Sequence, residues 1–347
     1  MHKNTKRILT ALLFIAACAV AYFIIVRGQN NKSASAQIFA MDTYMELTAY
    51  GKNSEDAVRA AKEEIERLDA LLSTGNEKSE IGQLNKNKKG QISADTQYLL
   101  NRSLTIYEET DGAFDITIYP VMRAWGFTGE EHRIPSEKEL QDLLQFVDAS
   151  RLQYDANTQT LTLPEGMEID FGGIAKGYTS QRVAQIMQEY DITSAILNLG
   201  GNVQLVGAKP DGSSWKVAIK SPDEQEEYLG VLSAQNKAII TSGGYERYFE
   251  ENGRKYHHII DPKTGMPAYN SLQSVTIVSE DGTLADGLST ALYVMGTESA
   301  ITFWQDHSDE FDAILYADDG TLYVTEGIAD TFTSSHSITV LEKAVAF

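Results

Sequence analysis

Apolar residues recur at Ala57, Val58, Ala61, Ile65, Leu68 and Leu72, a three-to-four spacing that lines one stripe of a helix. It predicts a helix over 54–72, capped by Asn53 or Ser54. A second begins at Ser93, carries Tyr98, Leu99, Ile106 and Tyr107 inward and stops at Gly112, and Ser136 opens a short amphipathic one. Helical spacing returns after Gly173 through Val183, Ile186 and Met187, from about Leu284 to Met295, and after Glu298. Alternating or short apolar runs predict strands at 38–50, 159–163, 194–199, 203–206, 215–219, 238–241 and 274–279, with a strand-like piece at 167–169. Asn252-Gly253 supplies the positive φ of a tight turn between runs 245–249 and 255–260, and Asp318-Asp319-Gly320 marks a second hairpin. The polar stretch 73–90 reads as a loop. Hairpins with interspersed helices and no internal repeat point to an α+β domain, not a doubly wound parallel sheet.

The N-terminus follows another pattern. Residues 8–26 form a 19-residue run without a charge, preceded by Lys3, Lys6 and Arg7 and followed by Arg27. Such a run is just long enough to span a bilayer core, and its basic flank orients the rest of the chain outward. Ile15-Ala16-Ala17-Cys18 also resembles a lipobox, so residues 1–28 read either as an uncleaved anchor or as a lipoprotein signal. A polar linker is expected at 29–37 and one folded domain over 38–347, held at the cell membrane on its extracytoplasmic side. Cys18 is the single cysteine, so no disulfide forms within the chain.

Charge narrows the partners. Past residue 30 the chain has 25 basic against 49 acidic side chains. That balance argues against nucleic acid, whose phosphates need a basic surface. A phosphate-bearing ligand would need local features: a helix N-terminus, a Lys and a metal ion.

Five segments carry candidate chemistry. Asp170-Phe171-Gly172-Gly173-Ile174-Ala175-Lys176-Gly177 is a Gly-rich turn ahead of a helix, where backbone N–H groups can approach a phosphate beside the Lys176 charge. A plain tight turn would use the same residues, as it would in Leu199-Gly200-Gly201-Asn202. Asp286 and Thr290 share a helix face one turn apart. Their hard oxygens suit Mg²⁺, although a helix cap and a back-bonded hydroxyl are the simpler use of such residues. His257 and His258 lie at a strand end before the turn Asp261-Pro262-Lys263-Thr264-Gly265, so alternation sends at most one of them into a site. A neutral His there can take a proton from a hydroxyl, or it can be a hydrogen-bonded wall residue. Tyr245-Glu246-Arg247-Tyr248-Phe249 offers stacking surface or core aromatics.

Taken in order, these pieces resemble the ApbE family of FAD:protein FMN transferases. The matching segments are Met41-Asp42-Thr43, Ser79-Glu80-Ile81 to Asn85, Gly112-Ala113-Phe114-Asp115-Ile116-Thr117, the Asp170 to Tyr178 turn, Asn198 to Asn202, Thr241-Ser242-Gly243, His258 to Gly265, and Ala285 to Ala291. The resemblance implies a single ApbE-type, T-fold-like domain of mixed, largely antiparallel sheet with packed helices, behind the N-terminal membrane segment. It implies FAD as substrate, Mg²⁺ on the FAD pyrophosphate, and transfer of FMN to a Thr or Ser hydroxyl of an exported acceptor, such as an electron-transfer protein, with release of AMP. Carried over residue by residue, the metal ligands are Asp286, Thr290 and the Gly173 carbonyl. Met41, Ala113, Phe114, Asp115, Asp170, Lys176 and His257 line the FAD site, and His258 is the base. The chain departs from the family pattern at Asp42 and Gly287, where Gly and Ala are usual, and near Gly75, where a ring-contacting Tyr is expected. A metal-dependent FAD pyrophosphatase would need the same residues; an exported flavin carrier would need neither metal nor base.

Overall fold

The structure, a computed structural model, describes residues 32–129, 131–223 and 225–344. The apolar run 8–26 lies outside the described residues. Among those described, no helix is long and apolar enough to cross a membrane.

A nine-stranded sheet organises the chain. Its strands are β1 (Ser33–Ala40), β2 (Thr43–Tyr50), β3 (Ser194–Leu199), β4 (Asn202–Val206), β5 (Ala238–Gly243), β6 (Leu272–Ser279), β7 (Asp312–Ala317), β8 (Leu322–Thr325) and β9 (Ile338–Leu341). Each lies beside its neighbour in sequence, every pair antiparallel except β8 with β9. The α+β, largely antiparallel expectation describes this sheet.

Four helices carry the argument: α1 (Ser54–Leu72), α2 (Ala94–Glu109), α3 (Ala175–Glu189) and α4 (Gly282–Met295). They pack on one face of the sheet. Ile65, Val183 and Met187 meet Met45 and Leu47 there, while Ile106, Leu288 and Leu292 meet Ile240, Val275 and Ile277. On the opposite face a three-stranded sheet, Trp215–Lys220, Tyr228–Ala234 and Phe332–Thr333, covers β4 to β8 through Val217, Leu232 and Phe332. Burial of such side chains stabilises by about 1.5–3 kcal/mol each, so both interfaces hold the sheet rigid beneath the loops at its ends.

A helix forms at each segment with helical spacing, but elsewhere the chain departs from its local pattern in several places. The expected single strand at 38–50 is a hairpin: Met41 (φ 49) and Asp42 (φ 57) turn the chain with two positive-φ residues, as tight hairpins require. Asp tolerates that region; Met enters it at a cost of about 1–2 kcal/mol. The first strand also begins at Ser33, inside the expected linker. The supposed loop 73–90 contains a helix, Glu80–Asn87, because Ser79 Oγ caps Gly82 N at 2.8 Å and Ile81 and Leu84 are buried. Finally, 167–169 forms no strand. The Asn85 amide stands in for a neighbouring strand, bonding both Ile169 N and Ile169 O at 2.8 Å, and so anchors the start of the Gly-rich turn.

Candidate active site

The helix pair α3 and α4 crosses closely enough to exclude a side chain. A Cβ on Gly177 would lie 2.2 Å from the Gly282 carbonyl oxygen and 2.5 Å from Asp286 Cβ. Because both neighbours are backbone or rigid stem, Gly177→Ala is expected to force the helices apart and cost about 1–3 kcal/mol of stability. Denaturant unfolding checks this, and an unchanged midpoint would refute the close-packing account.

The crossing fixes Asp286. Its Oδ2 accepts Gly177 N–H at 2.7 Å, while Asp281, not Asp286, caps α4 by accepting Leu284 N at 3.0 Å. The back-bonded hydroxyl is Ser289, donating to the Asp286 carbonyl at 2.8 Å. Thr290 is thereby left to face Ser242 Oγ at 3.4 Å, with Ser242 and Ser289 at 2.8 Å. A Cβ placed on Gly173 would fall 3.8 Å from Thr290 Oγ1 and 2.9 Å from the Phe114 ring, so the Gly-rich turn runs alongside. Gly287, next to Asp286 on α4, leaves room that Ile106 fills, its Cδ1 2.5 Å from where an Ala methyl would stand.

These groups open into a cavity of about 460 Å³ at the end of β5, the N-terminus of α3 and the second and third turns of α4. Met41, Ala113, Phe114, Asp115, Asp170, Gly173, Lys176, His258, Asp286 and Thr290 all line it. His257 does not. It lies behind the wall, edge-on to Tyr269 and Tyr293 at 5.5 and 5.6 Å, with its Nδ1 unpartnered. Strand alternation explains this: adjacent residues project to opposite sides, so His257, expected at the flavin, stands buried outside the cavity lining.

His258 enters the cavity with a defined tautomer. Its Nδ1 and backbone N both lie 3.1 Å from the Arg247 carbonyl oxygen. A carbonyl only accepts, so Nδ1 carries the proton and Nε2 keeps its lone pair. Desolvation, followed by repulsion from Arg247, pushes the imidazole down to about 3. The ring is therefore neutral at ordinary pH. Arg247 itself, read in the sequence only as part of an aromatic run, lines the cavity and donates through Nη2 to the Phe127 carbonyl at 2.8 Å.

Burial also pushes down His257, from 6.5 to about 4. The folded protein keeps this ring neutral while the unfolded chain takes up a proton below about pH 6.5, so stability is full above that pH and lost as pH falls toward 4. The loss amounts to about 3 kcal/mol for this ring. Acid titration of unfolding should show it, and a His257→Phe variant should show a shallower fall; an unchanged slope would contradict the assignment.

Six carboxylates line the cavity, Asp42, Asp69, Asp115, Asp170, Glu246 and Asp286, against the fixed cations Lys176 and Arg247. Four of the six accept hydrogen bonds from the chain, among them Asp286 from Gly177 N and Asp170 from Gly172 N at 3.0 Å. Asp115 holds Thr117 N and Oγ1 at 2.7 and 2.6 Å and Ala149 N at 3.1 Å. Asp69 Oδ1 accepts Met41 N at 3.1 Å, pinning the strained hairpin turn. Burial pushes Asp170 up, with the Gly172 N–H and Arg247 opposing. It also raises Glu246, with Lys176 and Lys220 opposing. Asp286 is raised for the same reason, against Lys176 and the Gly177 N–H. A buried carboxylate beside two or three hydroxyl and carbonyl oxygens is a donor set for a hard cation, which would relieve that penalty. Among the described residues no three His, Cys, Asp or Glu side chains are placed to hold one metal ion together, so hydroxyl and carbonyl oxygens would have to complete the set around Asp286.

The sequence-predicted residues thus converge, His257 excepted. Asp69, Asn202, Ser242, Glu246 and Arg247 join them. Of these, Asn202 and Ser242 stood inside recognised motifs, whereas Asp69 and Arg247 had no local signal.

Comparison with known proteins gives the same outline. The ApbE family model matches residues 41–315. The FAD:protein FMN transferase of Escherichia coli K12 is 32% identical over 313 residues, 82% of this chain and 87% of that protein. That of Haemophilus influenzae is 28% identical over 319 residues, 89% and 91% of the two chains. The crystal structure of the ApbE protein from Thermotoga maritima superposes with a TM-score of 0.80 at 31% identity, covering 85% of this chain and 98% of that one. The flavin transferase ApbE from Vibrio cholerae gives 0.78 at 27%, covering 86% and 99%. By the family match over residues 41–315, the identity to these relatives and the shared fold, this chain belongs to the ApbE family.

Proposed function

We propose that this protein is an FAD:protein FMN transferase, which moves the FMN part of FAD to a Thr or Ser hydroxyl of an acceptor protein and releases AMP, with Mg²⁺ required. The observation that carries the reading is the presence in one cavity of a neutral imidazole, His258, and the oxygen cluster of Asp286, Thr290 and Ser242. A flavin-binding protein without catalysis has no use for that combination. The names of the relatives, which act as FAD:protein FMN transferases, support it.

Asp286, Thr290 and the Gly173 carbonyl would hold the Mg²⁺. When bound, the ion neutralises charge on the pyrophosphate oxygens. The chain's own residues do the rest. Lys176 and the N–H groups at the start of α3 add positive potential where a phosphate would lie. His258 Nε2 takes the hydroxyl proton as the acceptor oxygen bonds to the FMN phosphorus and the P–O bond to AMP breaks. Arg247 O holds the ring in the tautomer that can accept this proton. Met41, Ala113 and Phe114 offer apolar wall to the ring system.

The acidic lining makes the metal necessary in this scheme, since two cations against six carboxylates would repel a pyrophosphate. We place the catalytic body outside the cell membrane, tethered by the residues before Lys32, where an electron-transfer protein with a covalently fixed flavin is the expected client. Incubation of such a protein with this chain, FAD and Mg²⁺, followed by mass spectrometry, tests the proposal. An FMN added to a Thr or Ser is expected; FAD turnover at the same rate with and without acceptor, and no labelled peptide, would mark a pyrophosphatase instead.

A further inference from the structure

The hairpin whose turn lines the cavity carries two aromatic rings on its outside. Phe39 and Tyr44 are a cross-strand pair flanking Met41 and Asp42. Their rings meet edge-on at 5.0 Å, yet they are 64% and 80% exposed. No other pair of large apolar side chains among the described residues is as exposed and in ring contact. An exposed aromatic pair near the free edge of a sheet costs solubility and invites pairing.

That sheet face is covered over β4 to β8, while β1 leaves the polar Ser33, Ser35 and Gln37 exposed beside Phe39. Tyr50, at the opposite end of β2, packs on Trp215 at 6.2 Å beneath the three-stranded sheet. The Tyr44 end is bare. The turn that presents the pair is also rigid: Met41 and Asp42 hold positive φ, and Asp69 Oδ1 fixes Met41 N at 3.1 Å. One hairpin tip therefore forms cavity wall on its inner side and an aromatic platform on its outer side.

Resting on the transferase reading above, we propose that Phe39 and Tyr44 are the docking platform for the acceptor segment, taking an apolar side chain a few residues from the hydroxyl that enters the cavity. Three observations select this occupant. The platform lies about two extended residues, roughly 7 Å, from the cavity-lining turn, so one segment reaches both. Its apolar area, roughly 250–300 Å², is far below the 800 Å² or so per partner of a stable dimer, which suits a short peptide contact over a second copy. Asp42 and the exposed Glu46 border the platform, favouring an acceptor with a basic residue close to its apolar one.

The test uses the full chain, FAD, Mg²⁺ and short synthetic peptides with one central Thr and either Leu or Ser a few positions to each side. Labelling is read by mass spectrometry. Leu peptides are expected to be labelled with a KM lower by about tenfold. Phe39→Ser with Tyr44→Ser should remove that advantage while FAD affinity and peptide-free FAD turnover stay the same; Tyr44→Phe, which keeps the ring, should retain it. Equal labelling of Leu and Ser peptides by the unaltered protein overturns the platform, as does an undiminished Leu preference in the double variant. So does loss of a dimer in that variant by light scattering, which would assign the pair to a second copy. No labelled peptide of either kind would overturn the transferase reading and the platform together, a result distinct from equal labelling.

Discussion

An Asp286→Asn protein is expected to keep its fold and lose FMN transfer by roughly a thousandfold or more, the several kcal/mol that a metal contributes to phosphoryl transfer. The amide retains the size of the carboxylate and an oxygen to accept the Gly177 N–H, now at 2.7 Å. What disappears is the one charge in the oxygen cluster. Since burial works against that charge, the metal-free variant should unfold no more easily than the unaltered protein, and with less desolvation cost it should be somewhat more stable. Magnesium chloride should raise the melting temperature of the unaltered protein and not that of the variant. Transfer at the normal rate, or an undiminished magnesium-dependent rise in melting temperature, would remove Asp286 from the metal.

His258→Ala should cost about 10² to 10⁴ in transfer rate, the range for one positioned base, with little change in FAD affinity because the imidazole is neutral. The pH dependence gives an independent check. A base works unprotonated, and this ring is held down to about 3. The profile of kcat/KM, which reports the free enzyme, should therefore not fall as pH drops through about 6.5, where an ordinary His titrates. Its acid limb belongs several units lower. A limb centred near 6.5 that vanishes in His258→Ala would show that the ring is solvated and that the walls do not act as described. Added imidazole restoring part of the variant's rate would tie the loss to proton transfer and not to the shape of the cavity.

Much of the secondary structure was legible because its causes are local. Helix α1 follows from six apolar positions, and the hairpin at Asn252-Gly253 (φ 52 and 75) from two residues. The failures also have local explanations. Two positive-φ residues without a Gly, Met41 and Asp42, hid a turn inside an alternating run. A helix of eight residues, Glu80–Asn87, stayed below the length at which period can be told from a polar loop. At 167–169 the backbone is satisfied by a side chain from 84 positions away, which no local pattern records.

The candidate site divides in the same way. Residue types and spacing by themselves put Asp286 and Thr290 on one helix face, the Gly-rich turn before a helix, and one of two adjacent histidines in reach of a site. Tertiary structure decided the rest. It made Asp281 the cap and so freed Asp286, joined Asp286 to Gly177 across 109 positions and Thr290 to Ser242 across 48, turned His258 inward and His257 behind the wall, and supplied Arg247 and Asp69. The physical reason is range. Dihedral preference, capping and side-chain period are set within a few residues of the chain, whereas desolvation, tautomer and the partner of a buried charge depend on whichever distant segments the packed helices and sheet bring together.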